Sequence, residues 1–174
     1  MTVVYRDGKV QDAAAIAELF AQSFTSTFGH LYPPQDLREF LATVTAERFH
    51  DDLGDPRYRF RLAEEAGQLA GYVKLGPPEL PVETPPDTIE LCQLYILEPW
   101  HGAGVARTLM EWALGTAAEQ GARHIQLSVY VDNRRAKRFY ERYGFTPVGR
   151  YDFMVGSHAD EDIVLRHIVM DLPA

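Results

Sequence analysis

Cysteine is nearly missing from this 174-residue chain: Cys92 stands alone, inside an apolar run. A single thiol can build neither a disulfide framework nor a zinc site. A thiol in apolar surroundings is also unreactive, so Cys92 reads as a buried structural residue rather than a nucleophile. The six histidines lack metal-ligand spacing such as His-x-x-x-His, and no metal is expected. Positive charge is scarce as well, with 17 Lys and Arg against 25 Asp and Glu and a formal net charge of −8. Binding to nucleic acid or an anionic membrane is driven by neutralising phosphates with Lys and Arg, so that balance excludes both as main partners and suits a cationic small molecule. No run approaches the ~18 apolar residues of a membrane span, and the opening "MTVVYRDGKV" lacks the apolar core of a signal peptide. Repeats and low-complexity tracts are absent too. The expectation is a soluble cytoplasmic protein forming one α/β domain over 1–174, because this length buries one sizeable core but does not favour two.

What is present is a readable order of elements. In "DAAAIAELFAQSF" the apolar Ile16, Leu19, Phe20 and Phe24 recur at helical spacing, with Asp12 placed to cap the helix. "PPQDLREFLATV" repeats the pattern, and "TAERFHDDLG" predicts a third helix capped by Thr45 and stopped near Gly54. Two alternating runs flank "EEAGQ", a hairpin pattern. "GPPELPVETPPDT" carries five prolines and no periodicity, so it predicts an extended surface loop. The strand "IELCQLYIL", a helix from Val105 ending at Gly121, the strand "HIQLSVYV" and the helix "NRRAKRFYERYG" follow. "TPVGRYDFMV" and "DIVLRHIVMDL" are the last strand candidates. The strand-helix-strand unit from Ile89 to Val131 implies a parallel pair inside a mixed sheet.

Between the strand and helix of that unit lies "EPWHGAGVARTLM". A glycine-rich turn opening a helix holds phosphates well, because unpaired N–H groups point outward and the helix dipole favours anions. Gly102 and Gly104 would let a phosphate approach without a Cβ in the way. The Gly-x-x-x-x-Gly-Lys-Ser/Thr loop of ATPases is not matched. The dinucleotide fingerprint is met at two of its three glycines, with Arg107 at the third, and Asp132 at the end of the next strand keeps that reading open.

"LYILEPWHGAGVARTLMEWAL" followed by "LSVYVDNRRAKRFYERYGFTPVGR" resembles the two signature segments of the GNAT superfamily of acyl-CoA-dependent N-acetyltransferases. The resemblance implies an α/β GNAT fold: a mixed, mostly antiparallel central sheet with a splayed parallel strand pair and helices on both faces. It implies acetyl-CoA as cosubstrate, with the pyrophosphate on the amides of Gly102, Ala103, Gly104, Val105, Ala106 and Arg107. His101 stands where the family usually has Gln or Arg. The backbone of Tyr95, Ile96 and Leu97 would pair with the pantetheine arm, and Asn133 would either reach it or cap its own helix. Tyr140 would protonate the leaving thiolate, the alternative being a core aromatic. The cluster Arg134, Arg135, Lys137, Arg138 and Arg142 reads as a solvated helix face, with an adenosine-phosphate site as the alternative.

Acetyl transfer to an amine also needs a base, since an amine with a pKa of ~10.4 is neutral about once in several thousand molecules at pH 7. Ser128 takes a position where some relatives carry Glu. Glu90 remains; strand alternation would put it on the face of Cys92 and Leu94, and its alternative role is an exposed edge carboxylate. "SFTSTFGHLYPPQDLREFLA" and "YDFMVGSHADEDIVLRHIVMDL" look similar to the bacterial branch that acetylates polyamines such as spermidine and spermine. In the fold the resemblance implies, the first helices and their loop commonly wall the acceptor site, which makes Phe24, Phe28, Tyr32 and Glu90 candidates there; distal ammonium groups would need carboxylates near its mouth, for which Asp36, Glu39 or Asp160 to Asp162 are the candidates. The partner expected is a small-molecule amine, and relatives are often homodimers. Open alternatives are an acyl-CoA sensor without catalysis, an interaction protein, or transfer to a protein N-terminus, an amino acid or an antibiotic.

Overall fold

The computed structural model describes residues 2–169. The strands β1 (Val4–Asp7), β2 (Arg59–Glu65), β3 (Gln68–Gly76), β4 (Thr88–Ile96), β5 (His124–Tyr130), β6 (Thr146–Val155) and β7 (His158–Ile168) form one sheet in the order β1-β2-β3-β4-β5-β7-β6. Every neighbouring pair is antiparallel except β4 and β5. The helices are α1 (Ala13–Phe28), α2 (Pro34–Thr43), α3 (Ala46–Gly54), α4 (Val105–Glu119) and α5 (Arg134–Arg142). β1 was not anticipated: four residues on the sheet edge give too short a run for alternation to show. Asp12 precedes α1 but does not cap it; its carboxylate accepts from Arg6 at 2.8 and 2.9 Å and from the Lys9 N–H at 2.8 Å. The β2–β3 hairpin turns through Ala66 and Gly67, both with positive φ, as its sequence led one to expect.

Two features of the sheet create the site. The parallel β4–β5 pair is registered only at Thr88–His124, Ile89–Ile125 and Glu90–Gln126, after which the strands diverge and leave a V-shaped opening. On the other side of β4, the β3 register steps from Leu75–Leu91 to Lys74–Gln93, so Cys92 is a bulge. An extra residue reverses alternation beyond it. Glu90 therefore shares a face with Gln93 and Tyr95, not with Leu94 as plain alternation would have it.

Apolar patterning sorts the helices to the two faces. Val105, Leu109, Met110, Ala113 and Ala117 of α4 pack on Val73, Leu75, Leu91, Ile125 and Leu127 behind the sheet. Ile16, Leu19, Phe20 and Phe24 of α1, with Phe49 of α3, pack on Phe60, Leu62 and Tyr72 in front. The C-terminus of α4 closes through Gly121 (φ +77), with Ala122 N–H on the Ala117 carbonyl and Gly121 N–H on that of Ala118. α5 ends the same way at Gly144, where Phe145 N–H bonds the Tyr140 carbonyl, so the turn that carries Tyr140 is fixed. β7 begins earlier than its sequence pattern showed and takes in "HADED", so Asp160 and Asp162 face one side of the sheet and Glu161 the other. The last residues of the candidate strand "DIVLRHIVMDL", 170–172, lie outside the described residues.

Candidate active site

Within the V lies a groove of about 450 Å³, walled by Thr27 and Phe28 of α1, Tyr95, Ile96, Trp100, the turn at the start of α4, Asn133, Phe139 and Tyr140. Gly102 and Gly104 have φ of +77 and +83, and a Cβ at either would meet no protein atom within 4 Å. The need for glycine there is conformational: the left-handed turn reverses the chain so that α4 starts facing the groove. Among the described residues the N–H groups of Gly102, Gly104, Val105, Ala106 and Arg107 have no internal acceptor, while Ala103 N–H bonds the Trp100 carbonyl. These free amides at the N-terminus of a 15-residue helix form an anion cradle. His101 staples it in place. Its Nε2 lies 2.7 Å from the Ile96 carbonyl and its Nδ1 accepts from Arg135 at 3.1 Å, so one tautomer serves both contacts.

The remaining cofactor candidates separate by geometry. Tyr95 and Ile96 line the groove, whereas Leu97 does not, and its N–H is spent on the Ala70 carbonyl of β3 at 2.8 Å. Alternate N–H groups of a strand point to opposite edges, which leaves the Ile96 amide facing the opening. Asn133 does cap α5, accepting from Ala136 N–H at 3.3 Å, and it also lines the groove. Arg107 is exposed and pairs with Glu111 one turn on, so what it can offer a ligand in this conformation is its amide. Of the basic cluster, Arg135 and Arg142 border the groove. Free amides, flanking guanidinium groups and an apolar channel form a donor set that fits a pyrophosphate with a long, weakly polar arm.

In front, a second cavity of about 350 Å³ opens from the same V, and Tyr95, Asn133 and Tyr140 line both spaces. Its wall is strongly aromatic. Phe24 stacks on Phe20 and Tyr32 and touches Phe40 at 4.8 Å between ring centres, while Phe28 meets Tyr130 edge-on at 6.2 Å. Phe24, Phe28 and Tyr32 all line the cavity. Tyr140 is 8% exposed, and burial holds its phenol well above the ordinary tyrosine range, so it stays protonated. Cys92 reaches the cavity, but burial pushes its thiol up to about 12, which leaves little thiolate.

The carboxylates are the main correction to the sequence reading. Glu90, 9% exposed, lines neither space; its Oε1 accepts the N–H groups of Glu79 and Leu80 at 3.0 Å each and ties down the start of the proline-rich loop. Burial leaves its pKa raised, with those two bonds opposing. Asp36 accepts from Ser157 across the α2–β6 seam, and Glu39 from Gln35 on its own helix. Asp160 and Asp162, anticipated at the mouth, are instead buried in the cavity wall. The lining residues Gln93, Tyr130 and Phe153 had no local signal, since each is an ordinary strand residue until its neighbours are placed.

The model of the acetyltransferase (GNAT) family matches residues 14–145. An uncharacterized N-acetyltransferase of Mycobacterium tuberculosis is 34% identical over 155 residues, spanning 88% of this chain and 96% of the relative. Another, from Lactobacillus delbrueckii subsp. lactis, is 25% identical over 158 residues, spanning 90% of this chain and 91% of the relative. Among solved structures, the PaiA N-acetyltransferase of Thermoplasma acidophilum in complex with coenzyme A has a TM-score of 0.78 at 17% identity, covering 97% of this chain and 99% of that one. At that identity the likeness shows the shared fold.

Proposed function

The chain belongs to the acetyltransferase (GNAT) family and is an N-acetyltransferase, and from that premise we propose that it moves the acetyl group of acetyl-CoA to a primary amine bound in the front cavity. The observation that carries this reading is the meeting of two spaces at Tyr140: an anion cradle behind the V and an aromatic cavity with buried carboxylates in front. Acetyl-CoA supplies the activated acyl carbon. The amides of Gly102 and of Gly104 to Arg107 hold the pyrophosphate, the Ile96 amide and Asn133 orient the pantetheine arm, and Tyr140 gives its phenolic proton to the departing sulfur.

The acceptor proposed is an amine on an alkyl chain, with polyamines as the first class to test. Aromatic walls suit methylene groups and attract an ammonium through their faces. The net charge of −8 adds a long-range pull on a polycation, screened beyond ~8 Å at physiological ionic strength. The terminal segments' likeness to polyamine acetyltransferases supports the same class, although the relatives described above are not named for polyamines.

The test is release of free thiol from acetyl-CoA with spermidine, spermine, putrescine, an aminoglycoside, an amino acid and an N-terminal peptide, at low and high salt. Turnover should be best with a polyamine, and its kcat/KM should fall as salt rises. A peptide or amino acid ahead of spermidine by about tenfold or more, a preference of ~1.4 kcal/mol, would overturn the polyamine class and leave the acetyltransferase standing. Tight acetyl-CoA binding with no thiol release from any amine would mean a sensor.

A further inference from the structure

Among the described residues three carboxylates are buried, Glu90, Asp160 and Asp162. Two of them are already committed: Glu90 to the N–H groups of Glu79 and Leu80, and Asp160 to the Tyr32 hydroxyl and to His158 Nε2 at 3.3 Å. Asp162 is different. It is 8% exposed, lines the front cavity, and has no cationic partner among the described residues. Among the described residues the one cation in the cavity wall is Arg48, whose guanidinium donates to the Thr43 carbonyl at 2.9 Å. A buried carboxylate left without a counter-charge is expensive, and aimed into a cavity it marks a place for a cationic ligand.

We propose that Asp162 is the general base that takes the proton of the acceptor ammonium. This rests on the acetyl-transfer reading above and adds the residue that makes the amine nucleophilic. Register places Asp162 between Tyr130 of β5 and Tyr151 of β6, in one row on the cavity face. The groups that face it are Ser128 and Tyr130 on β5, Tyr151 on β6, Asp160 on β7, Tyr32 after α1, Tyr95 on β4 and Tyr140 on α5. All but Asp160 are neutral hydroxyl groups, and Asp160 is the carboxylate already bonded to Tyr32. Burial, then the nearby charge of Asp160, raise Asp162 to about 6, with the Ser128 hydroxyl opposing. A more basic carboxylate stands closer to the ammonium it must deprotonate, yet it is still ionised at neutral pH.

An N–H bond of the ammonium breaks and an O–H bond forms on Asp162. The freed nitrogen lone pair attacks the thioester carbonyl carbon, a C–N bond forms, and collapse of the tetrahedral adduct breaks C–S. The thiolate takes the phenolic proton of Tyr140, which is restored by the proton the amide nitrogen sheds, and Asp162 passes its own proton to solvent. Ammonium and thioester thus become amide, thiol and one released proton.

Steady-state kinetics on Asp162→Asn, Asp162→Glu and Glu90→Gln test this, using the amine that turns over best and a β-fluorinated analogue whose ammonium is less basic. Asp162→Asn should lower kcat/KM for the basic amine by ~10²-fold or more at pH 7 while coenzyme A affinity by calorimetry is retained, which also shows that the variant folds. The deficit should shrink by about tenfold with the fluorinated amine or at high pH, where deprotonation needs less help. Asp162→Glu should restore part of the rate, and Glu90→Gln should stay near wild type. Retained activity in Asp162→Asn, or a loss equal for both amines at every pH, overturns the proposal. Absence of turnover by the wild type with any amine overturns the acetyl-transfer reading itself, and the base with it.

Discussion

The two walls of the V are built on different principles. Behind it, the cradle is one contiguous stretch of backbone, Gly102 to Arg107, whose free groups are main-chain N–H bonds aimed by two left-handed glycines. In front, the cavity is assembled from side chains on α1, α2, β4, β5, β6 and β7, more than a hundred residues apart, as the Tyr32–Asp160 bond shows. A backbone site depends on conformation and tolerates almost any side chain pointing away. A side-chain site depends on each group's identity and partner, so it can change its ligand without disturbing the other wall.

The back wall is most sensitive at Gly104. Valine at φ +83 costs about 1–2 kcal/mol in the left-handed region and turns away amides whose charge-assisted bonds are worth ~1.5–3 kcal/mol. Coenzyme A affinity should fall by roughly 100-fold by calorimetry. Unchanged affinity would place the cradle elsewhere. Next comes Tyr140→Phe, expected to lower kcat by ~10- to 10³-fold in a thiol-release assay with coenzyme A affinity kept, because it removes a proton and not a binding group.

A front-wall change should leave the back wall alone. Tyr32→Phe takes the hydroxyl donor from buried Asp160, which costs ~1–3 kcal/mol and lowers Tm by several degrees. KM for the amine should rise while coenzyme A binding is kept; weakened coenzyme A binding would mean that the two walls are one unit.

Asp162→Asn should have the opposite sign in a melting experiment. The carboxyl is raised from 3.8 to about 6 in the folded chain, so the native state binds its proton more tightly than the unfolded chain does. That favours folding below pH ~4, and the benefit is lost as pH rises through about 6. The variant should therefore melt a little higher than wild type above pH 6 and gain nothing below pH 4, an exchange of stability for a usable charge. Arg107→Ala should be the mildest, changing coenzyme A affinity by no more than about threefold, since the exposed side chain is turned to Glu111 on its own helix.

The legibility of this chain follows the same division. The helix at Val105, its glycine-built start, the Asn133 cap and the Gly121 stop are all local: each depends on residues within a turn or two, so a linear reading reaches them. The same holds for the β2–β3 hairpin at "EEAGQ". Glu90 was misplaced because alternation assumes an unbroken strand, and the bulge at Cys92 exists only through the register with β3. Asp160 and Asp162 were visible as acidic residues near the end. Only the early start of β7 and its pairing with β5 and β6 buried them on one face, gave Asp160 its partners and left Asp162 with no counter-charge among the described residues.

By itself, then, the sequence determined the order of elements, the parallel unit, the glycine-built turn at the start of α4 and the family, because backbone conformation and apolar periodicity are short-range properties. The tertiary structure decided where β4 and β5 part, and which buried carboxylate, among the described residues, stands without a counter-charge. Those outcomes depend on burial and on partners supplied by distant segments, and no window of the chain contains both members of such a pair.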